Sequence, residues 1–211
     1  MVIKLYLLRH GQQENDLAYN PRKRRPDPEL SNLGREQANL LGKRLTKHGI
    51  SAIYTSDLKR AVQTADIVNH HLSLPLEMKS ALREIDMGLV SIKGWDRISV
   101  ENPDFYQEFQ QHHSDIAYPE GESGSDVRQR AMPAIEDIVA RHPPESNLAI
   151  VCHGGVILVL LTAILRMPQE QRFWFQIDHC SISIVKYDSE CQSFRILSVN
   201  DTAHLEENLK E

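Results

Sequence analysis

The sequence predicts an α/β fold: a three-layer sandwich with a mostly parallel central sheet, helices on both faces and a small inserted cap. Three observations predict it. Strand-like apolar runs alternate with helical periods along the chain. Val2 to Leu8 is apolar on both faces, as a covered parallel strand must be. Two strands also end alike: Leu7-Leu8 runs into Arg9-His10-Gly11, and Val151-Cys152 runs into His153-Gly154-Gly155. In open α/β sheets, ligands gather beyond such carboxyl ends.

The elements follow in order. After the first strand comes a polar loop punctuated by Pro21, Pro26 and Pro28. A helix is predicted from about Leu33 to His48, with Ala38, Leu41 and Leu45 on one face and Gly49 as its stop. Ser51 to Thr55 reads as a short strand. From Leu58 to Leu72 the positions Leu58, Ala61, Val62, Ala65, Val68 and Leu72 fit a helical period, with Ser56 or Asp57 as its cap. A short element is expected near Leu76.

The segment from about residue 89 to 124 breaks the alternation. It sets Trp95, Ile98, Phe105, Tyr106 and Phe109 among polar residues and is expected to form a partly helical cap. Val127, Ala131, Ala134, Ile135, Ile138 and Val139 mark the next helix, which Pro133 should kink or delay. Leu148 to Cys152 is a strand, and Val156 to Leu165 an apolar core helix. Ser181 to Tyr187 and Phe194 to Val199 close the chain as two strands, read as a hairpin.

Composition narrows the function. The 211 residues suit a single domain, 1–211, with the cap as an insertion. A formal charge of −5 and the lack of a basic stripe argue against nucleic-acid binding. The run Arg22-Lys23-Arg24-Arg25 reads as a solvated loop. The longest apolar run is about half the ~20 residues a membrane span needs. Three cysteines, Cys152, Cys180 and Cys191, no CxxC and no signal peptide point to a reducing cytoplasm. The oligomeric state stays open, a homodimer included.

The chemistry lies at the strand ends. His10 and His153 each follow a strand, and each is flanked by glycine, which lets backbone approach a ligand. Gly154-Gly155 opens a helix whose free N–H groups suit an anion. Arg60, in "YTSDLKRAVQTA", lies one turn into a helix that leaves a strand's carboxyl end. Glu84, in "LREIDMG", sits near another probable strand end. Singly these residues mean little. Together they supply two histidines, two arginines and a carboxylate.

At this point a family resemblance emerges. The chain resembles the histidine phosphatase superfamily, in its phosphoglycerate-mutase-like branch. The match runs through "LYLLRHG", "ELSNLGREQANLLGKRL", "IYTSDLKRAVQTADIV", "ALREIDMG", "PEGES", "LAIVCHGGVI" and "NDTAHL", in the family's order and spacing. The resemblance implies that His10 is the nucleophile that takes the phosphoryl group. It implies that Arg9, Arg60 and His153 hold phosphate oxygens, with Gly154 beside them, and that Glu84 donates the proton. The physics agrees. Phosphoryl oxygens need preorganised positive donors, and arginine supplies permanent charge in a bidentate fork. A hydrogen bond from one imidazole nitrogen to a backbone carbonyl would leave the other free to attack. A phosphohistidine then splits one hard step into two. Glu84 must carry a proton to protect the leaving alkoxide, which burial or the bound phosphate favours.

The scheme needs no metal and no cofactor. No HExxH appears, and the doublets His70-His71 and His112-His113 read as a helix end and a solvated cap helix. Arginine does not follow any cysteine at the spacing a cysteine phosphatase loop requires, and GxxxxGK[ST] is absent.

The family pattern breaks in two places. After Arg9-His10-Gly11 the family usually has a hydroxyl residue, often tryptophan, and then asparagine; here Gln13, Asn15 and Asp16 stand in those places. A phosphate-facing Asp16 would cost on the order of 4 kcal/mol at about 4 Å and an effective dielectric of ~20. Asn15, Gln13 or both are therefore expected to make the amide contact, or Asp16 to turn outward. The usual Trp-Glu-Gly after the acid is also missing. Val90, Ser91 and Ile92 stand there instead, which puts the substrate-side wall in question.

The expected activity is hydrolysis of a small phosphomonoester. The alternatives are a cofactor-dependent phosphoglycerate mutase and a non-catalytic phosphate-binding module. The short chain and Ile85-Asp86-Met87-Gly88, where the mutases carry Arg-His-Tyr-Gly, favour the hydrolase.

Overall fold

A computed structural model describes residues 2–15, 19–20, 22–23 and 25–209. The chain forms β1 (Val2–Arg9), a ribbon of β2 (Tyr19–Asn20) and β3 (Arg25–Pro26), α1 (Asn32–Leu45), β4 (Ala52–Thr55), α2 (Lys59–Leu72) and β5 (Leu76–Met78). Three short helices follow: α3 (Leu89–Lys93), α4 (Trp95–Glu101) and α5 (Pro103–Gln111). The rest is α6 (Gly124–Ala140), β6 (Asn147–Cys152), α7 (Gly154–Ile164), β7 (Ile182–Asp188) and β8 (Ser193–Asp201). This is the α/β sandwich expected.

The main sheet has the order β5-β4-β6-β1-β7-β8. Its first four strands run parallel, while β7 is antiparallel to β1 and β8 to β7. Alternation along β1 divides the core. Ile3, Leu5 and Leu7 pack with residues of α6 and α7, whereas Tyr6 and Leu8 pack with those of α1 and α2. Leu5, Leu7 and Leu8 are each at most 1% exposed. Each such side chain contributes roughly 1.5–3 kcal/mol by leaving water.

Register brings the two histidine motifs together. Arg9 pairs with Cys152 across β1 and β6, so His10 and His153 leave neighbouring strands side by side. Thr55 pairs with Val151, which sets Ser56 beside them on the other flank of β6. Leu8 pairs with Ile182 on antiparallel β7, so the residues just before β7 also reach this edge.

Several expectations need correction. Gly11 does not leave room for a ligand. A Cβ there would lie 2.4 Å from the Gly34 carbonyl oxygen, so its smallness lets the β1 exit pack on the first turn of α1. Neither Ser56 nor Asp57 is the N-cap of α2: Leu58 holds that position. Asp57 is instead bound bidentately by Arg83, at 2.7 and 2.5 Å. The N-terminal Lys59 N–H is satisfied from a distance by the Asp27 carboxylate at 2.7 Å. Helix α6 runs unbroken through Pro133. Pro133 and Gln129 are both exposed residues, on the side of the helix where a carbonyl left without its helical donor is least costly. The basic run is not simply a solvated loop, because Arg25 is only 8% exposed. Arg22 is exposed as expected, and Arg24 lies outside the described residues.

The segment expected to form a cap has an apolar cluster of its own. Val90, Ile98 and Tyr118 are buried against Trp95, Phe105 and Phe109, with Ile85 and Met87 joining it to the acid loop.

Candidate active site

Arg9, His10, Arg60 and His153 can each be followed to a strand end or helix start, whereas Glu84, Gln13 and Asn15 lie in loops. His10 leaves β1 and is 3% exposed. Its Nδ1 lies 2.8 Å from the Gly11 carbonyl oxygen. A carbonyl only accepts, so Nδ1 carries the proton and Nε2 the lone pair. Arg60, in the first turn of α2, donates its Nε–H to that Nε2 at 3.1 Å. Burial foremost, then the charges of Arg60 and Arg9, holds the His10 pKa well below the usual histidine value, against the opposing pull of the Gly11 bond. The ring is therefore neutral.

Thr64 ties α2 to the β1 exit. Its hydroxyl donates to the Arg60 carbonyl at 2.7 Å and accepts from the Gly11 N–H at 3.1 Å. The Arg9 guanidinium donates to the Ile177 carbonyl at 2.6 Å and to His179 Nε2 at 2.8 Å. His153 is fully buried, with its ring centre 5.0 Å from that of His10. Its Nε2 lies 2.9 Å from Ser56 Oγ, while its Nδ1 has no partner among the described residues. Burial, then the charges of Arg60 and His10, lowers the His153 pKa well below the usual value.

Glu84 approaches from the far side. One carboxylate oxygen accepts from the Ile85 N–H at 2.8 Å, the other from the Gly155 N–H at 3.2 Å, in the first turn of α7. The Glu84 carbonyl is clamped by two guanidinium groups, those of Arg25 and Arg130. Arg130 is paired with Glu122 at 2.7 and 2.8 Å, and Glu122 accepts from the Asp86 N–H at 2.8 Å. This network, built partly from the "PEGES" segment, fixes the acid loop.

Part of this set faces a cavity of about 600 Å³, whereas His153, fully buried beside His10, is not among its lining residues. Arg9, His10, Gln13, Arg25, Arg60 and Glu84 line its polar side. Val90, Ser91, Ile92 and Trp95 also line it, so the segment that replaces the family's Trp-Glu-Gly does contribute to its wall. Of the residues offered for the amide contact, Gln13 lines the cavity, whereas Asn15 is exposed and is not on its wall. Asp16 lies outside the described residues. Gly154 packs near Arg9, where a Cβ would lie 3.4 Å from Nε. Among the described residues, no group of three His, Cys, Asp or Glu side chains is placed to hold a metal ion. His112 and His113 are exposed, and His71 bonds Asn39 between α1 and α2.

Sequence reasoning missed three residues. His179 precedes β7, and only the antiparallel β1–β7 pairing brings it to Arg9. Arg25 was concealed in a basic run. Ser56 was visible only as a possible helix cap. The first two carry no local signal; the third stands four residues before Arg60, at the same strand end.

The pattern of the histidine phosphatase superfamily (branch 1) matches residues 5–202, and the chain belongs to that superfamily. It is 30% identical to the probable phosphoglycerate mutase GpmB of Yersinia pestis (strain Pestoides F), over 97% of this chain and 96% of that one. Among solved structures, Bacillus stearothermophilus YhfR superposes with a TM-score of 0.84 at 33% identity, covering 97% of this chain and all (100%) of YhfR. A mycobacterial glucosyl-3-phosphoglycerate phosphatase superposes with a TM-score of 0.81 at 27% identity, covering 96% and 100%.

Proposed function

We propose that the protein hydrolyses a small phosphomonoester through a phosphohistidine on His10, without a metal or other cofactor. The protonation pattern of His10 carries this reading: the proton sits on Nδ1, and a lone pair on Nε2 stands among cationic groups. A phosphate oxygen displaces the Arg60 N–H from Nε2, and that N–H then serves the phosphate. Nε2 attacks phosphorus, the ester P–O bond breaks, and Glu84 gives its proton to the leaving oxygen. In the second half, Glu84 takes a proton from water. The water oxygen attacks phosphorus, the P–N bond breaks, and inorganic phosphate leaves. Arg9, Arg60 and His153 hold the phosphoryl oxygens, with Gln13 beside them and Gly154 opening the helix behind.

The leaving group occupies the cavity between Arg25 and the wall of Val90, Ile92 and Trp95. The mycobacterial phosphatase named above supports a small phosphorylated substrate. We place the protein in the cytoplasm, a reducing compartment that suits free Cys152, Cys180 and Cys191.

The mutase reading has one observation behind it, the name of the Yersinia relative. Phosphate release separates the two when compared with interconversion of 2- and 3-phosphoglycerate, with and without bisphosphoglycerate. Hydrolysis predicts release without interconversion. The nucleophile is tested by His10→Ala, which should abolish turnover of p-nitrophenyl phosphate. Equal rates in variant and parent would remove the catalytic reading and leave a phosphate-binding module.

A further inference from the structure

We propose that Ser56 is a positioning residue: its hydroxyl fixes the tautomer of His153, so that Nδ1–H is the donor offered to the anion beside His10. The inference rests on the phosphatase reading for its consequence, though not for its geometry.

Strand pairing sets the contact. The Ser56 N–H donates to the Val151 carbonyl at 3.0 Å, one strand over and two residues before His153. The Ser56 side chain is fully buried, and its Oγ lies 2.9 Å from His153 Nε2. Two protons could fill that contact, from the hydroxyl or from the ring. The surroundings choose between them. Ser56 Oγ accepts the Leu58 N–H at 3.3 Å, and its own buried proton needs an acceptor. Among the described residues, the acceptor placed for it is His153 Nε2.

His153 is itself neutral, because burial and the neighbouring Arg60 and His10 disfavour a charged ring. A neutral imidazole has one donor and one acceptor. With Nε2 accepting from Ser56, the proton lies on Nδ1. That Nδ1 is buried and without a partner among the described residues, a costly state for a donor in a protein interior. A phosphoryl oxygen supplies the missing acceptor. The opposite tautomer would turn a lone pair toward an anion. Ser56 would thus do for His153 what the Gly11 carbonyl does for His10: each uses one ring nitrogen to decide the state of the other.

Long-range ¹H–¹⁵N spectra of histidine-labelled protein test this directly. The His153 signals are assigned by their loss in His153→Asn. In the parent, His153 Nδ1 should be of the protonated type and Nε2 of the unprotonated type. In Ser56→Ala the pattern should shift toward a protonated Nε2. Inorganic phosphate, read as a competitive inhibitor, should then bind about tenfold or more weakly, the scale of one hydrogen bond to a charged group. The KM for p-nitrophenyl phosphate should rise with it. A protonated Nε2 in the parent, or an unchanged pattern in Ser56→Ala, overturns the proposal. If Ser56→Ala does not fold, the parent spectrum decides alone. Failure of the phosphatase reading would look different, as absence of turnover in the parent with the nitrogen pattern intact.

Discussion

Glu84 is held by two backbone N–H groups, and one of them belongs to Gly155. A Cβ on residue 155 would lie 2.5 Å from a Glu84 carboxylate oxygen, the far end of a flexible side chain. Gly155→Ala should therefore displace the carboxylate and leave the fold intact. General acid catalysis contributes about 10²–10⁴-fold, and most where the leaving group is a poor one. The expected outcome is a kcat/KM, which reads phosphoryl transfer to His10 and not the shared hydrolysis of the phosphohistidine, at least tenfold lower for an alkyl phosphate, with a smaller loss for p-nitrophenyl phosphate, whose leaving group needs little protonation. Steady-state rates on the two substrates check this; equal losses on both would argue against the acid role of Glu84. The same scale shows what was legible. Arg9, His10, Arg60 and His153 could be read because each stands where an apolar run stops or a helix starts; Glu84, six residues past the end of β5, carries a weaker signal. His179 and Arg25 could not, because what they touch is set by pairings between distant segments: β1 with β7, and the β3 ribbon with the acid loop.

Helix α2 shows the same division at the level of an element. Its apolar face was legible, and Leu58, Ala61, Ala65 and Val68 are all fully buried. Its start was not. The adjacent Asp57 is taken by Arg83, 26 residues on, and the Lys59 N–H depends on Asp27. This end of α2 carries Arg60, so its capping bears on the site. Asp27→Ala should cost about 1 kcal/mol, as N-cap losses typically do. For a domain of this size that is a fall in Tm of roughly 2–4 °C. Thermal unfolding followed by circular dichroism measures it. An unchanged Tm would mean that solvent caps the helix equally well. The inserted helices α3 to α5 were legible only as a break in the pattern. Their apolar residues pack on one another and on Tyr118, so no long amphipathic period marks them.

Across the whole molecule, the alternation of strands and helices announced a covered parallel sheet, but strand order had no local signal. That order places both His10 and His153 in the interior, and their burial has a consequence for stability. Both have native pKa values well below the ordinary histidine value near 6.5. As pH falls through about 6.5, the unfolded chain takes up protons at these two positions while the native protein does not. The unfolded state then binds more protons, so stability falls as pH falls. The slope approaches about 1.4 kcal/mol per pH unit for each of the two groups. His48, His142 and His204 are lowered as well and act with the same sign. At lower pH, Asp57 and Glu122 continue the trend, since their native pKa values are also depressed. The protein should therefore be more stable at pH 7 than at pH 5, with no maximum near its pI of about 6.1. Urea unfolding across that range checks the slope, and His153→Asn should flatten it. A stability that is level from pH 7 to pH 5 would mean that these rings accept protons in the folded protein, and the neutral nucleophile would lose its physical basis.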